Sequence, residues 1–378
     1  MKRIGYPAAR AVAGTVNRNL AAHAAAARER GVRELAPLPD ESAVERIVDA
    51  AFWASLKREE GQSPKISLAF VPPDRSGHPM VFERPLPLRP RDLARLAPAV
   101  ERPGIHLGVW EDGGDLRVWG TTRSVPTLCF VLEVVEPGLL VVKYRRGDEL
   151  DKFGTVAVIE ADRIKVVDPA AASLPDCPSL LASLLGFDVP PADGEPASVL
   201  VQLATSMRAH RHGGSLLVVP EGSDAWRESA AHPLLYAVEP FREIPALLRA
   251  GDEERRQPVW REAFRQTVEA VAGLTAVDGA TVLDGRYRVL AFGVRLVRMR
   301  GSERVERVAL TEPVLGDEMR VVDPSTLGGT RHLSAAQFVY DQRDALALVA
   351  SQDGRFTVFA WSPCEAMVHA HRVDALLM

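Results

Sequence analysis

Gly213-Gly214-Ser215-Leu216-Leu217-Val218-Val219 decides the reading of the C-terminal half. A run of apolar residues this short, opened by two glycines, reads as a strand buried on both faces. The residues before it (Leu200, Leu203, Ala204, Met207) repeat at helical spacing. A helix leading into a buried strand is α/β architecture. Working outward, Trp260, Phe264, Val268 and Val271 predict a second amphipathic helix ending at Gly273. Thr281–Leu283 and Tyr287–Phe292 flank Asp284-Gly285 as a hairpin. Ser334–Tyr340 reads as a helix, and Ala345–Ala350 with Arg355–Ala360 as a closing hairpin about Asp353-Gly354.

The N-terminal half has a different pattern. Residues 1–60 read as helical, with Ser42 and Glu45 as a capping box ahead of Val44, Ile47, Val48, Ala51 and Phe52. The Ala- and Arg-rich start, Met1 to Gly31, reads as an exposed helix or a frayed arm. Residues 61–168 read as an α+β domain rich in antiparallel hairpins. Three of these (107–119, 128–144 and 155–167) predict a meander. Pro85–Pro90 reads as a rigid connector and Arg91–Val100 as a short helix. The proline-rich stretch 169–197 is the expected linker, with a short helix around Ser179–Leu185. Residues 198–378 form the expected C-terminal domain.

The 378 residues bear a net charge of −4, which argues against a broad nucleic-acid-binding face. Cys129, Cys177 and Cys364 are far apart and form no CxxC pair, so neither a disulfide framework nor a zinc ribbon is expected. No apolar run is long enough to span a bilayer. The expectation is a cytoplasmic protein.

Two short motifs carry the chemistry. Gly328-Gly329-Thr330-Arg331-His332-Leu333 enters a helix. Glycines admit close backbone approach, and Thr330 suits an N-cap. The first-turn amides favour an anion, and Arg331 and His332 add donors suited to phosphate. A helix start with a solvated Arg is the plain alternative. Asp278-Gly279-Ala280 enters a strand. An Asp there holds a divalent cation or orients a sugar hydroxyl in one reading, and bonds its own backbone in the other. The pairs His210/His212 and His369/His371 have no carboxylate or cysteine at ligand spacing and are not expected to bind metal.

Taken in order, these pieces resemble the nucleotide-binding domain of diadenylate cyclases over about residues 195–378. The matching landmarks are Gly214–Val219, Asp278-Gly279-Ala280, Gly329-Thr330-Arg331-His332, and the strand Ala345–Ala350 leading into Ser351-Gln352-Asp353-Gly354. The whole chain, with its strand-rich front and the stretch 212–220, is similar to the DACNV group, described as probable sensor domains. The resemblance implies a pair of protomers meeting face to face, a homodimer or other homo-oligomer. In the cyclases each bound ATP's 3′-hydroxyl attacks the other's α-phosphate, releasing pyrophosphate and giving cyclic di-adenosine monophosphate. It further implies that Asp278 binds Mg²⁺ or Mn²⁺ and orients the hydroxyl, as the catalytic residue. Gly279 and Ala280 would contact the nucleotide through their backbone, Gly329, Thr330, Arg331 and His332 would hold phosphates, and Ser351 would lie beside the nucleotide.

The family pattern is Arg-His-Arg, and here Leu333 takes the third place, removing a guanidinium from the phosphate cradle. The insertion Arg298–Val308 is expected to lengthen the hairpin after the Asp-Gly-Ala strand, with Arg295, Arg298 and Arg300 near enough to replace the lost charge. These departures favour a degenerate sensor of ATP or a cyclic adenine dinucleotide, read out by an unidentified downstream protein. An active diadenylate cyclase is the alternative, and a non-binding scaffold the second. A buried Asp and Arg without a ligand or each other would be costly, which argues against the scaffold. No helix-hairpin-helix module is recognisable and no transmembrane segment precedes the domain, so neither DNA nor a membrane is an expected partner.

Overall fold

The computed structural model describes residues 5–29, 31–58, 61–146, 153–168, 198–234, 236–255 and 257–378. The expected linker 169–197 and its short helix lie outside them. The chain forms two compact units, Met1–Val167 with Met378, and Asp168–Leu377. Both are mixed α/β, each built on one large sheet.

The N-terminal unit contains α1 (Pro7–Glu29), α2 (Glu41–Ser55), β1 (Ile66–Phe70), β2 (Met80–Pro87), α3 (Pro90–Leu96), β3 (His106–Asp112) and β4 (Asp115–Thr122). It continues with β5 (Phe130–Glu136), β6 (Leu139–Arg145), β7 (Phe153–Glu160) and β8 (Arg163–Val166). Its strand order is β2-β4-β3-β1-β5-β6-β7-β8. Only β5 to β8 form a meander. β1 inserts between β3, parallel to it, and β5, so the β3–β4 hairpin is separated from the others. Parallel pairing of β1 and β3 requires a crossover, and the segment carrying β2 and α3 supplies it.

α1 is packed rather than exposed or frayed. Its Val12, Val16 and Leu20 join Ile47 and Val48 of α2 and Leu68, Leu132 and Leu140 of the sheet in one core. The cap of α2 is Asp40, whose carboxylate accepts from Ala43 N–H, and not Ser42. Pro85–Pro87 belongs to β2, an edge strand where proline's missing N–H costs no ladder bond.

The C-terminal unit contains α4 (Ser198–Ala209), β9 (Gly214–Val219), β10 (Tyr236–Phe241), α5 (Glu243–Leu248), α6 (Asp252–Arg255), α7 (Pro258–Leu274), β11 (Ala280–Asp284) and β12 (Val289–Val294). There follow β13 (Val308–Thr311), β14 (Arg320–Val322), α8 (Thr330–Asp341), β15 (Leu346–Ala350), β16 (Phe356–Ser362) and β17 (Met367–Arg372). The order is β10-β12-β11-β9-β15-β16-β17-β13-β14. β9 is central, parallel to β11 and antiparallel to β15. The β15–β16 hairpin is not the last element, because β17 follows and pairs with β16.

α8 buries Ala335, Ala336, Phe338 and Val339 against the face of the sheet carrying Leu217, Ala347, Val349 and Phe359. Strand alternation sends the equally buried Leu216 and Leu348 to the opposite face. The segment 298–307 follows β12, and the β11–β12 hairpin itself is short, turning on Asp284. That carboxylate, 1% exposed, accepts from Arg286 and Arg288 N–H at 3.0 Å each and pairs with the Arg288 guanidinium. Asp341 at the end of α8 holds the later segment instead, accepting from Met299 N–H at 2.9 Å and from the Ser302 hydroxyl. Among the described residues no helix is long and apolar enough to cross a membrane.

Candidate functional site

Strand register assembles the site. Ala280 pairs with Ser215, and Ala350 with Gly214. The start of β9, the start of β11 and the end of β15 therefore lie at the same end of the sheet's central strands. Asp278, Gly213 and Ser351, each one or two residues outside those strands, are brought together there. The N-terminus of α8 joins them. A cavity of about 500 Å³ is lined by Asp278, Gly329, Thr330, Arg331, His332, Ala350, Ser351, Gln352 and Asp353.

Two opposite charges on this cavity are unspent. The side chains of Asp278 and Arg331 make no hydrogen bond or ion pair among the described residues. Asp278 is exposed and Arg331 half-buried. The desolvation argument against a non-binding scaffold therefore falls away, since an exposed carboxylate keeps its water. Arg331 lies tight against the backbone at Gly213, where a Cβ would come within 2.7 Å of Nη1. Gly213 has φ +70°, a backbone conformation that favours glycine there.

α8 starts differently from the expectation. Gly329 is its N-cap and no side chain caps it; Thr330 is the first helical residue. The Thr330 and Arg331 amides are thus left for solvent or a ligand, at the positive end of the helix dipole, while His332 N–H already donates to the Gly329 carbonyl at 3.0 Å. His332 is 3% exposed and its Nε2 has no partner among the described residues. Burial, the largest influence, holds its pKa below the usual histidine value, with Asp353 opposing and Arg372 and Arg355 adding to it. The ring is neutral at pH 7 and offers one N–H rather than a cation.

The Ser351 hydroxyl donates to the Asp353 carboxylate, which also pairs with Arg355. That hydroxyl bond is the main cause holding the Asp353 pKa below the usual carboxylate range. Asp353 and Gln352 were not singled out from sequence. Their signal was the Ser-Gln-Asp-Gly turn, where an Asx residue organises its own backbone.

Gly279 and Ala280 are not among the lining residues. Ala280 is buried in β11, and Gly279 (φ +107°) presses on β12, where a Cβ would stand 2.4 Å from the Gly293 carbonyl carbon. Leu333 does not line this cavity either. With Leu296, Val297, Arg298, Arg304, Ser334 and Gln337 it lines another, of about 280 Å³. Of the basic residues near Leu333 in the sequence reading, Arg298 stands beside it, and Arg304 joins it; neither lines the Asp278 cavity.

Among the described residues no group of three or more His, Cys, Asp or Glu forms a metal centre. Glu365 does meet His369 Nε2 at 3.2 Å, a carboxylate that spacing alone did not suggest. His371 Nδ1 shares a hydrogen bond with the Thr311 hydroxyl at 2.7 Å.

Comparisons with known proteins add to this geometry. Residues 33–123 match the model of the family described as "Probable sensor domain DACNV". The match lies wholly in the N-terminal unit, upstream of every motif residue in the cavity. No curated protein matches the chain in sequence. The fold is similar to a hypothetical membrane spanning protein from Bacillus cereus, at 16% identity over 51% of this chain and 70% of that one, with a TM-score of 0.27. It is similar also to DacA from Staphylococcus aureus, in a double-mutant form, at 14% identity over 46% of this chain and 83% of that one, with a TM-score of 0.25.

Proposed function

We propose that the C-terminal unit binds an adenine nucleotide, ATP or a cyclic adenine dinucleotide, in the Asp278–Arg331 cavity, and that the chain acts as a sensor of it. The observation that carries this reading is the pair of unspent charges. Asp278 and Arg331 share one cavity with an uncapped helix N-terminus and have no partner among the described residues. A phosphate satisfies the guanidinium and the amides together. The lone carboxylate suits Mg²⁺ or Mn²⁺, which binds through one or two carboxylates plus ligand phosphates rather than an all-protein cage. Asp278 would hold that ion, which would neutralise phosphate charge.

Sensing is favoured over turnover by the sensor-family match of residues 33–123. The second reading, diadenylate cyclase activity, is favoured by the placement of Leu333. Because that side chain faces a different cavity, the Arg331–His332 pair is not weakened by it.

The test is calorimetric titration of ATP and of cyclic di-adenosine monophosphate with Mg²⁺, alongside chromatography of the ATP mixture. The sensor reading expects saturable binding without product, weakened at least tenfold by Arg331→Ala. Asp278→Asn should abolish its dependence on Mg²⁺. Cyclic product that disappears in Asp278→Asn would establish the cyclase. Binding untouched by either substitution would refute the site.

A further inference from the structure

We infer that the N-terminal unit carries a second ligand cavity, for a nucleoside phosphate, formed by Trp53, Lys57, Arg89, Pro90 and Arg91. The cavity measures about 480 Å³, within the roughly 300–1,000 Å³ range of small-molecule sites. Among the described residues its walls hold three cations, one indole and no carboxylate. The side chains of Lys57, Arg89 and Arg91 make no hydrogen bond or ion pair among the described residues. All five residues fall inside the stretch 33–123.

Fold stability does not account for this arrangement. Lys57, just past the C-terminus of α2, is well placed against that helix's dipole. Arg89 and Arg91 are not: they flank Pro90 at the start of α3, the end where a cation is disfavoured. Asp92 beside them pairs with neither among the described residues. Three like charges converging on one cavity repel one another and are relieved by an anion.

The indole supplies the other half of the recognition. Trp53 Nε1–H donates to Asp49 Oδ1 at 3.1 Å, and the same oxygen accepts from Tyr6 N–H at 2.7 Å. Asp49 is thereby engaged, and the ring is held in one orientation. Phe52 braces it edge-on at 5.3 Å and is itself stacked on Tyr6 at 3.6 Å. A fixed aromatic face beside a cluster of cations suits a planar base carrying phosphate, the base stacking and the phosphate pairing.

The experiment uses the full chain with Asp278→Asn and Arg331→Ala, so that binding here is separable from binding in the C-terminal unit. AMP and GMP are titrated by calorimetry, with adenosine and inorganic phosphate as half-ligands. Binding of a nucleotide at least tenfold tighter than of either half is expected. It should weaken at least tenfold in Arg89→Ala/Arg91→Ala, fall in Trp53→Leu and survive in Trp53→Phe. The paired arginine substitution is on exposed side chains and should leave the melting temperature unchanged, which keeps loss of binding distinct from loss of fold. Absence of binding by both nucleotides would overturn the proposal. So would phosphate binding as tightly as AMP, or affinity indifferent to Trp53→Leu.

Discussion

Gly279→Ala separates two roles for the Asp-Gly-Ala motif. The resemblance to the cyclases makes Gly279 a nucleotide contact; the structure makes it a packing position. A Cβ there would stand 2.4 Å from the Gly293 carbonyl carbon and 2.8 Å from both its oxygen and Val294 N. All three are backbone atoms, so the clash is relieved only by moving β12 by about 1 Å. Overpacking of this kind costs about 1–3 kcal/mol. The backbone conformation, φ +107°, adds about 1–2 kcal/mol for a residue with a Cβ. Loss of glycine's freedom in the unfolded chain returns about 0.4–1 kcal/mol. The net is roughly 1–5 kcal/mol, which for a unit of this size lowers Tm by about 2–20 °C. The control is Gly293→Ala, where the nearest atom, at 2.7 Å, belongs to the ring of the exposed Tyr236, a side chain with room to swing. It should cost less than Gly279→Ala. Scanning calorimetry with ATP titrations on the folded variants decides the matter. A Tm unchanged within about 1 °C, with nucleotide affinity lost, would refute the packing argument and return Gly279 to the ligand.

Two further predictions concern charge. Leu333→Arg should leave ATP affinity within about twofold of the parent, because position 333 faces the cavity of Arg298 and Arg304; a gain of tenfold or more in calorimetry would contradict that placement. Burial, with His369 as a lesser influence, pushes the His371 pKa down to about 3 from an ordinary 6.5. The neutral ring is the form the fold accepts, so its contribution is complete above pH 6.5 and is lost progressively as pH falls from there toward 3. Between those limits urea midpoints should decline, and His371→Gln should reduce the slope by about 1.4 kcal/mol per pH unit; an unchanged slope would show that the histidine titrates normally.

Legibility in the sequence followed locality. The β3–β4, β5–β6, β7–β8, β11–β12 and β15–β16 hairpins were readable because alternation and turn residues lie within a few positions of each other. β2, β10, β13, β14 and β17 were missed: β2, β10 and β14 are edge strands without a clean apolar face, whereas β13 and β17 are interior, short and flanked by no hairpin turn signal that the reading used. β1 was readable as a strand over Lys65–Val71, but its place between β3 and β5 was not, since pairing order is not encoded by any one segment. The α2 cap shows a local contest. Asp40 and Ser42 both fit the preference, and the geometry selected the one whose oxygen reaches Ala43 N–H.

Most motif residues named from the sequence meet in one cavity, and a helix turns one of them away. Asp278, Gly329, Thr330, Arg331, His332 and Ser351 converge on one cavity because three strand ends and one helix start meet at one end of the central strands. Reading Leu333 as a guanidinium lost from the phosphate cradle puts position 333 on the same cavity as Arg331. On an α-helix each residue turns about 100°, so positions two apart point to nearly opposite sides. Arg331 and Leu333 accordingly line different cavities. A missing arginine at the third place therefore says little about charge in the Asp278 cavity, and that charge rests on Arg331 and the amides of Thr330 and Arg331.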